Sequence, residues 1–357
     1  MSIPVSICLT TYNRARVLPS TLDSLLAQDF GDFELIISDN ASSDDTEEVC
    51  RQYERRDRRV RYFRNPANLG MPGNLNAAIT RASGEYIANV HDGDLYRSDL
   101  LRQWKDALDE APDSPFVFNT YDCVRKTGEH FLSGEPFSSG VIPGSYIAEY
   151  FFRTATCCVW GTVMARRSAY HKQGPFDASF GFISDVEMWL RMAHGKAIAY
   201  VAEPLITLSR GEKGDKPYFG PWRQMFWTVA IYSKMLRLYS DVIPEETRQY
   251  SRGFAQFICR LALYRMATLV KNRRWESVRE GLKVWRDSPV TALAVIGRLM
   301  SIGVSPPDWY DLALWEPLAD MTLTLRQPHK HWRRPRLRNS LQPSGRHQIR
   351  KPSPKPR

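Results

Sequence analysis

The chain has 357 residues, 43% hydrophobic and 25% charged, so it can bury the core of at least one sizeable domain. Its net charge of +10 is uneven, because residues 326–357 hold eleven Lys or Arg and no Asp or Glu, which leaves the rest near neutral. This distribution excludes a protein that is basic throughout. The basic segment is accompanied by no aromatic stacking platform and no recognition helix, so we expect no nucleic-acid partner.

Short apolar runs alternate with helical patterns along the first 110 residues. Strands are predicted at Val5–Thr10, Phe33–Asp39, Val60–Asn65 and Tyr86–Val90. Helices are predicted on apolar faces spaced three and four residues apart. These faces are Leu18, Leu22, Leu25 and Leu26; Leu75, Ala78, Ile79 and Ala82; and Leu101, Trp104 and Leu108. A further helix is expected to start at Ser42–Asp45. Near-continuous apolar strands that alternate with helices predict a mostly parallel α/β sheet covered on both faces.

The pattern continues with a predicted strand at Phe116–Tyr121 and a second apolar run at Cys157–Ala165. Beyond Pro221 it changes to long aromatic-rich helical stretches. We therefore predict an α/β domain over residues 1–220, a helical region over 221–325 and a basic tail over 326–357. The tail has too few apolar residues to offset the entropy of ordering, so we expect it to be disordered. A solvated tail without a partner and a tail drawn to anionic lipid head groups both remain open.

Cysteine usage and hydropathy indicate where the protein works. The six cysteines form no CxxC pair, and several lie in apolar runs as buried free thiols do. The first residues lack the pattern of a secretory signal, and no apolar run reaches the ~18 residues of a bilayer span. We expect a cytosolic protein that can reach the inner face of the membrane peripherally.

Polar residues follow all four predicted N-terminal strands. They are Thr10–Asn13, Ser38–Asn40, Asn65 with Asn68, and His91–Asp94. The carboxyl ends of parallel strands meet at one edge of a sheet, where such sheets bind ligands. The sequence has neither GxGxxG after the first strand nor GxxxxGK[ST]. A phosphate-bearing ligand must therefore be bound by groups other than a Gly-rich loop. Asp92 and Asp94 could hold a divalent cation that bridges a diphosphate, although Asp-Gly-Asp is also common turn chemistry.

Asp39 ends the second predicted strand and could accept a hydrogen bond from the ring N–H of a pyrimidine. Thr10, Thr11 and Tyr12 could border the same base. The alternative for Asp39 is a turn that starts the next helix, because Ser42-x-x-Asp45 resembles a capping arrangement.

The stretch SICLTTYNRARVLPSTLDSLLAQDFGDFELIISDNASSDDTEEV, followed by NPANLGMPGNLNAAITRASGEYIANVHDGDL, resembles the nucleotide-binding half of family 2 glycosyltransferases. The resemblance covers roughly residues 3 to 210. It implies a GT-A-type, Rossmann-like sheet with a helical C-terminal appendage. It also implies a nucleotide-diphospho-sugar donor (UDP-linked by preference), a Mg²⁺ or Mn²⁺ ion, and inversion at the anomeric carbon. The family suggests a saccharide or lipid-linked acceptor in polysaccharide or glycolipid synthesis.

The resemblance assigns the nucleotide and metal site to six residues. They are Thr10, Tyr12 and Asp39 at the base, Asn68 near the nucleotide, Asp92 at the ribose and metal, and Asp94 at the metal. Leu95 stands where many relatives carry a further acidic residue, so the division of metal binding between Asp92 and Asp94 stays open.

The second half of the site is expected from GPFDASFGFISDVEMWLRMAHG, residues 174–195. Ser184 and Glu187 have the spacing of a capping box, which predicts Ser184 as the N-cap and places Asp185 in the first helical turn. By the resemblance, Asp185 is the general base, although Ser184 replaces the Glu that usually precedes it. The alternative is that Asp185 only complements the helix dipole. Arg210, in a polar segment typical of lids, could reach the departing diphosphate, or it is an ordinary surface arginine.

We therefore predict an inverting, metal-dependent glycosyltransferase of EC class 2.4. One alternative is a sugar-nucleotidyltransferase, which would be expected to carry a Gly-rich loop where this chain has TTYNRARVLP. The other is a non-catalytic sugar-nucleotide binding protein of the same fold, against which the intact Asp92, Asp94 and Asp185 argue.

Overall fold

Four parallel strands joined by helices form the first half of the sheet in the computed structural model, which describes residues 4–124, 130–132, 137–154, 157–209, 221–249, 251 and 265–286. The strands are β1 (Val5–Thr11), β2 (Phe33–Asp39), β3 (Val60–Arg64) and β4 (Tyr86–His91). The helices are α1 (Leu18–Leu26), α2 (Thr46–Arg56) and α3 (Gly70–Arg81). The strands lie in the order β3-β2-β1-β4, as apolar strands with helical crossovers dictate.

The second half of the sheet mixes parallel and antiparallel neighbours. Its strands are β5 (Leu95–Tyr96), β6 (Phe116–Val124), β7 (His130–Leu132), β8 (Gly140–Pro143), β9 (Val163–Arg166) and β10 (Ala197–Ser209). β9 lies antiparallel between β4 and β6, and β10 pairs parallel with β6 and antiparallel with β5 and β8. Most paired residues still belong to parallel strand pairs, so the predicted α/β class is confirmed.

The remaining helices cover the two faces of the sheet. They are α4 (Leu100–Glu110), α5 (Gly144–Thr154), α6 (Arg167–Gln173), a 3₁₀ helix (Ala178–Ile183), α7 (Ser184–Ala193), α8 (Pro221–Leu238) and α9 (Trp275–Arg286). Successive residues of β1 serve opposite faces, since Ile7 and Leu9 pack with α1 and α4 while Cys8 packs with α3, α5 and α7. None of the described helices has the length and hydrophobicity to cross a bilayer.

α8 packs on the same face of the sheet as α5 and α7. The Tyr232 ring lies 4.8 Å from that of Phe151, and the Tyr239 hydroxyl donates to the carbonyl of Leu190 at 2.6 Å. The aromatic helical pattern beyond Pro221 is therefore confirmed over α8, and this helix buries part of the core that the α/β region provides.

Two local predictions are wrong, the extent of a strand and the cap of a helix. The apolar run Cys157–Ala165 becomes a strand only from Val163, because Gly161 has a left-handed φ of 79° that interrupts the extended backbone. The predicted helix start at Ser42–Asp45 agrees with the structure, since α2 begins at Thr46 with Asp45 as its N-cap residue and the Asp44 carboxylate accepts from the amide of Thr46 at 3.1 Å.

Ser184 is not the N-cap of α7. The 3₁₀ helix runs directly into α7, so Ser184 already has helical dihedral angles (φ −64°, ψ −24°) instead of the extended geometry of a cap. Its hydroxyl is buried and has no hydrogen-bond partner within the described ranges. Glu187 forms ion pairs with Arg191 and Lys234, so the Ser184–Glu187 spacing does not form a capping box.

Candidate active site

The carboxyl ends of β1, β2 and β4 meet at one edge of the sheet. Thr10 lies opposite His91 of β4, and Thr11 lies opposite Asp39 of β2. The amide of Asn40 continues this alignment by donating to the carbonyl of Thr11 at 2.9 Å. The polar strand ends that the sequence places together are therefore neighbours in the structure.

Asp39 is sealed from solvent and holds the loop that follows β2. One carboxylate oxygen accepts from the amide and hydroxyl of Ser42 at 3.0 and 2.5 Å, and the other accepts from the Tyr62 hydroxyl at 2.7 Å. Burial and the adjacent Asp39 raise the pKa of Tyr62, which keeps that donor protonated. The Arg64 guanidinium also lies 3.9 Å from this second oxygen, and the predicted contact of Asp39 with a base N–H stays a prediction.

Replacing Asp39 with Ala should destabilise the fold, because it leaves the buried Tyr62 hydroxyl and the Ser42 amide without their acceptor. The expected loss is about 1–3 kcal/mol. Urea denaturation of the variant beside Asp45→Ala, which changes a neighbouring loop carboxylate with no bond to Tyr62, measures it. Equal midpoints for the two variants would contradict the anchoring role.

Asn68 belongs to a network of amides beneath the same edge. Its side-chain oxygen accepts from Asn40 at 2.8 Å and from the amide of Gly70 at 2.9 Å. The Asn40 oxygen in turn accepts from the amide of Leu69 at 2.8 Å. These bonds fix the entry to α3, so Asn68 shapes the loop beside the predicted nucleotide position.

The loop after β4 is closed by two hydroxyl groups. Tyr96 accepts from the amide of His91 at 2.8 Å and donates to its carbonyl at 2.9 Å. Thr21, buried on α1, accepts from the amide of Gly93 at 3.0 Å and donates to the carbonyl of Asp94 at 2.9 Å. Gly93 has a φ of 92°, which other residues rarely adopt. The backbone of the Asp-Gly-Asp turn is thus held from both sides.

Asp92 points toward the loop after β1. The Arg14 guanidinium lies 3.7 Å from its carboxylate. Burial raises the pKa of Asp92, while the neighbouring Thr11 hydroxyl, the Arg14 charge and the Tyr12 amide act in the opposite direction. This places Tyr12 and Asp92 together as predicted and adds Arg14, a cation suited to a diphosphate, that the sequence analysis did not single out.

Asp94 is 9% exposed and lies close to His91, with 3.8 Å between its carboxylate and Nδ1 of the ring. Within the described ranges no group of three or more His, Cys, Asp or Glu side chains could form a complete metal cage. Mg²⁺ commonly takes one or two carboxylates and completes its shell with substrate phosphates and water. Asp92 and Asp94, two oxygen donors on one short turn, fit that mode of binding.

Gly161 brings Asp185 and His91 together. A Cβ built on Gly161 would lie 2.7 Å from the Oδ2 atom of Asp185 and 2.8 Å from Cε1 of His91. The carboxylate from α7 and the imidazole from the end of β4 therefore flank the same stretch of backbone. Asp185 shares the sheet edge with Asp92 and Asp94, which is the placement that a base acting beside a diphosphate requires.

Burial raises the pKa of Asp185 to about 6, against the hydrogen bond that its Oδ1 atom accepts from the amide of Val186 at 2.8 Å. A general base works best when its pKa lies near the operating pH, so this carboxylate can both take up a proton and release it. A residue that served only the helix dipole would gain nothing from such burial.

Some site residues were beyond the sequence analysis. Arg210 lies outside the described residues, so its predicted contact with the diphosphate stays a prediction. Arg14 and Thr21 act from loop and helix positions that look ordinary in sequence. The local signal for Arg14 is its place just after the polar end of β1, in TTYNRAR. The local signal for Gly161 is its place just before β9, in CCVWGTV.

Comparison with known proteins gives a consistent result. The Glycosyl transferase family 2 model matches residues 6–174. The GalNAc(5)-diNAcBac-PP-undecaprenol beta-1,3-glucosyltransferase of Campylobacter jejuni is 38% identical over 297 residues, which cover 82% of this chain and 92% of that protein. The putative glycosyltransferase EpsE of Bacillus subtilis is 26% identical over 52% of this chain and 66% of its own length.

Solved structures show the same fold at low sequence identity. S. aureus TarS 1–349 in complex with UDP-GlcNAc has a TM-score of 0.54 at 16% identity and covers 79% of this chain and 91% of its own. The mannosyltransferase PcManGT of Pyrobaculum calidifontis, in complex with GDP-Man and Mn²⁺, has a TM-score of 0.53 at 16% identity, with coverage of 90% and 84%. The sheet, its polar edge and these relatives together identify the chain as a family 2 glycosyltransferase of the GT-A fold that uses a nucleotide sugar.

Proposed function

We propose that this glycosyltransferase inverts the anomeric carbon in a single displacement with Asp185 as the general base. The observation that carries the proposal is the partly buried Asp185 carboxylate beside His91 and Gly161, at the same edge as Asp92 and Asp94. Asp185 takes the proton of the acceptor hydroxyl as its oxygen attacks, and no covalent sugar–enzyme bond is formed. One base is sufficient for such a step.

Asp92 and Asp94 are the residues that would hold a Mg²⁺ or Mn²⁺ ion against the diphosphate. The ion, when bound, would neutralise the charge that develops on the leaving group. Arg14 lies beside Asp92 and adds a fixed positive charge at the same place. Arg210 is proposed to approach from the segment after β10.

The donor is proposed to be UDP-linked, and the acceptor a lipid-linked saccharide. TarS was solved with UDP-GlcNAc, while PcManGT was solved with GDP-Man, so the fold accommodates either nucleotide. The name of the Campylobacter jejuni relative describes a glucosyl transfer to an undecaprenyl-diphosphate-linked oligosaccharide. Its 38% identity favours a glycan on a lipid carrier as acceptor here.

The anomeric configuration of the product tests the mechanism. An α-linked nucleotide sugar should give a β-glycoside, detected by the coupling constant of the anomeric proton in the NMR spectrum of the purified product. A screen of UDP- and GDP-sugars with short-chain lipid-linked acceptors supplies the substrate pair, with nucleotide release as the assay. A retained configuration would contradict the single displacement.

The basic tail is proposed to bring the enzyme to the cytoplasmic face of an anionic membrane. The tail lies outside the described residues, but the turn before α9 adds exposed cations at Lys271, Arg273 and Arg274, next to a Trp275 side chain that is 51% exposed. Lys and Arg near such a surface contribute about 1 kcal/mol each, and Trp favours the interface.

Truncation after Leu325 should weaken binding to vesicles that contain anionic lipid and leave transfer to a soluble acceptor unchanged. The loss should shrink as salt rises, because screening weakens the attraction of the full-length chain. Co-sedimentation with phosphatidylglycerol-containing vesicles, beside neutral phosphatidylcholine vesicles as the control, measures the partition. Equal partition of the truncated and full-length chains would leave the tail without a membrane role.

A further inference from the structure

Glu187 of α7 is a fully buried carboxylate, two residues beyond Asp185. One of its oxygens accepts from Arg191 at 2.8 Å and from the Lys234 ammonium at 2.8 Å, and the other accepts from Arg191 at 3.0 Å. An ionised carboxylate in the protein interior is tolerated only when such partners surround it. Both cations therefore compensate the charge of Glu187 and stabilise α7 in this conformation.

The two cations reach Glu187 from different directions. Arg191 lies one turn further along α7 and also donates to the carbonyls of Gln173 and Pro175, which belong to the chain before the 3₁₀ helix. Lys234 belongs to α8, some forty residues later in the sequence. The pair Glu187–Lys234 thus joins the helix that carries Asp185 to α8, and both helices lie beyond residue 174, where the match to the family model ends.

Lys234 contacts more than one element of this segment. Its ammonium lies 3.5 Å from the carboxylate of Asp177 and 4.9 Å from the centre of the Phe180 ring. Asp177 precedes the 3₁₀ helix and Phe180 is part of it. One side chain of α8 therefore binds the start of the 3₁₀ helix and the first turns of α7 together.

α8 makes a second contact with the same segment. Gly181 has a φ of 53°, and a Cβ there would collide with the indole of Trp227, so the ring packs directly on the backbone. Trp227 and Lys234 are seven residues apart and lie on one face of α8. Gly181 and Glu187 flank Asp185 in sequence, and each is contacted by this face.

We propose that Lys234, through its ion pair with Glu187, is a positioning residue that fixes the Asp185 carboxylate for catalysis. The proposal rests on the function proposed for Asp185 above. Charged groups around this helix turn are the carboxylates of Asp177 and Glu187 and the cations of Arg191 and Lys234, while the His91 ring lies beside Asp185 at Gly161. Without Lys234, Glu187 keeps Arg191 as a partner, but α7 loses its ion pair with α8 and the net charge near Asp185 becomes more negative.

Lys234→Met should lower kcat by up to about 10²-fold, because small displacements of a reacting group have effects of that size. The affinity for the donor nucleotide should hold, since Lys234 contacts none of the residues proposed to bind it. The acid limb of the kcat–pH profile should move to higher pH, as the added negative charge favours protonated Asp185. Lys234→Arg should recover most of kcat and the original limb.

Lys105→Met is the matched control. Lys105 is similarly half-exposed, and it pairs with Asp109 at 2.6 Å on α4, which packs on the other face of the sheet. The double variant Lys234→Met/Glu187→Gln also removes the negative charge of Glu187, so no buried carboxylate that has lost one of its two cations opposes folding. It should keep the kcat defect but return the acid limb toward its original position.

Wild-type kcat and an unmoved pH profile in Lys234→Met, together with a loss of transfer in Asp185→Asn, would overturn the positioning role and leave the proposed base intact. Normal transfer by Asp185→Asn would overturn both. A kcat defect in Lys234→Met that Lys234→Arg does not recover would also contradict the proposal, because the ion pair would then not be the cause.

Discussion

Asp185→Asn should reduce sugar transfer by about 10²–10⁴-fold while the donor still binds normally. The amide keeps the size of the side chain and can accept the Val186 amide, but it cannot take a proton from the acceptor hydroxyl. Initial rates with saturating donor and acceptor, beside calorimetric titration with nucleotide, separate the two effects.

The same substitution should stabilise the fold. Burial raises the pKa of Asp185 from 3.8 to about 6 in the folded chain, so folding favours the protonated form and the ionised carboxylate opposes folding at neutral pH. Removing that charge should gain on the order of 2 kcal/mol at pH 7 to 8. The gain should fade as the pH falls through 6 toward 4, where the native carboxyl is protonated as well. Thermal unfolding across this pH range tests it.

Glu48→Gln is the control for both measurements, because Glu48 is an exposed carboxylate in the first turn of α2 with no contact to the site. If Asp185 only complements its helix dipole, the two variants should behave alike and lose a little stability. Glu187→Gln cannot serve this purpose, since Glu187 is buried in its own ion pairs. Near-normal transfer by Asp185→Asn would exclude the proposed mechanism.

Asp94→Ala should lower transfer on the order of 10³-fold and remove the dependence of nucleotide affinity on Mg²⁺ or Mn²⁺. The turn has two carboxylates, Asp92 and Asp94. Without Asp94, the cation that bridges the diphosphate would lose one of its two proposed protein ligands. Without metal, the variant and the parent should bind nucleotide equally weakly.

Calorimetric titration of UDP or GDP at increasing Mn²⁺ concentrations measures this effect directly. Asp106→Ala, an exposed carboxylate on α4, is the control for the loss of charge alone. The same titration on Asp92→Asn shows how the two aspartates share the ion. An equal metal response in Asp94→Ala and the parent would contradict the assignment.

The fold of the N-terminal half was predictable because its signals are local. Near-continuous apolar strands and helical apolar spacing are readable within ten residues, and parallel strands then bring their polar ends to one edge. That reasoning placed Thr10, Asp39 and Asp92 near one another, and the strand registers agree. The antiparallel insertion of β9 was not predictable, because its pairing partners lie about 50–80 residues earlier in the chain.

The same limit explains the mistaken cap at Ser184. Its spacing to Glu187 is a local pattern, but the partner that determines the role of Glu187 is Lys234, which only tertiary structure brings near. Burial of Asp185 is equally non-local, since it depends on β4 and on the turn at Gly161. The identity of the candidate base could be predicted from sequence, while the features that tune and orient it could not.

Gly161 limits how this site can diverge among descendants of one ancestor. Its φ of 79° is left-handed, and the place that a side chain would take there is already occupied by the Asp185 carboxylate and the His91 ring. A side chain introduced there would displace both groups at once, so neither can be retuned separately through this position. We therefore expect substitutions that change specificity to be tolerated in loops at the rim of the edge and not at Gly161.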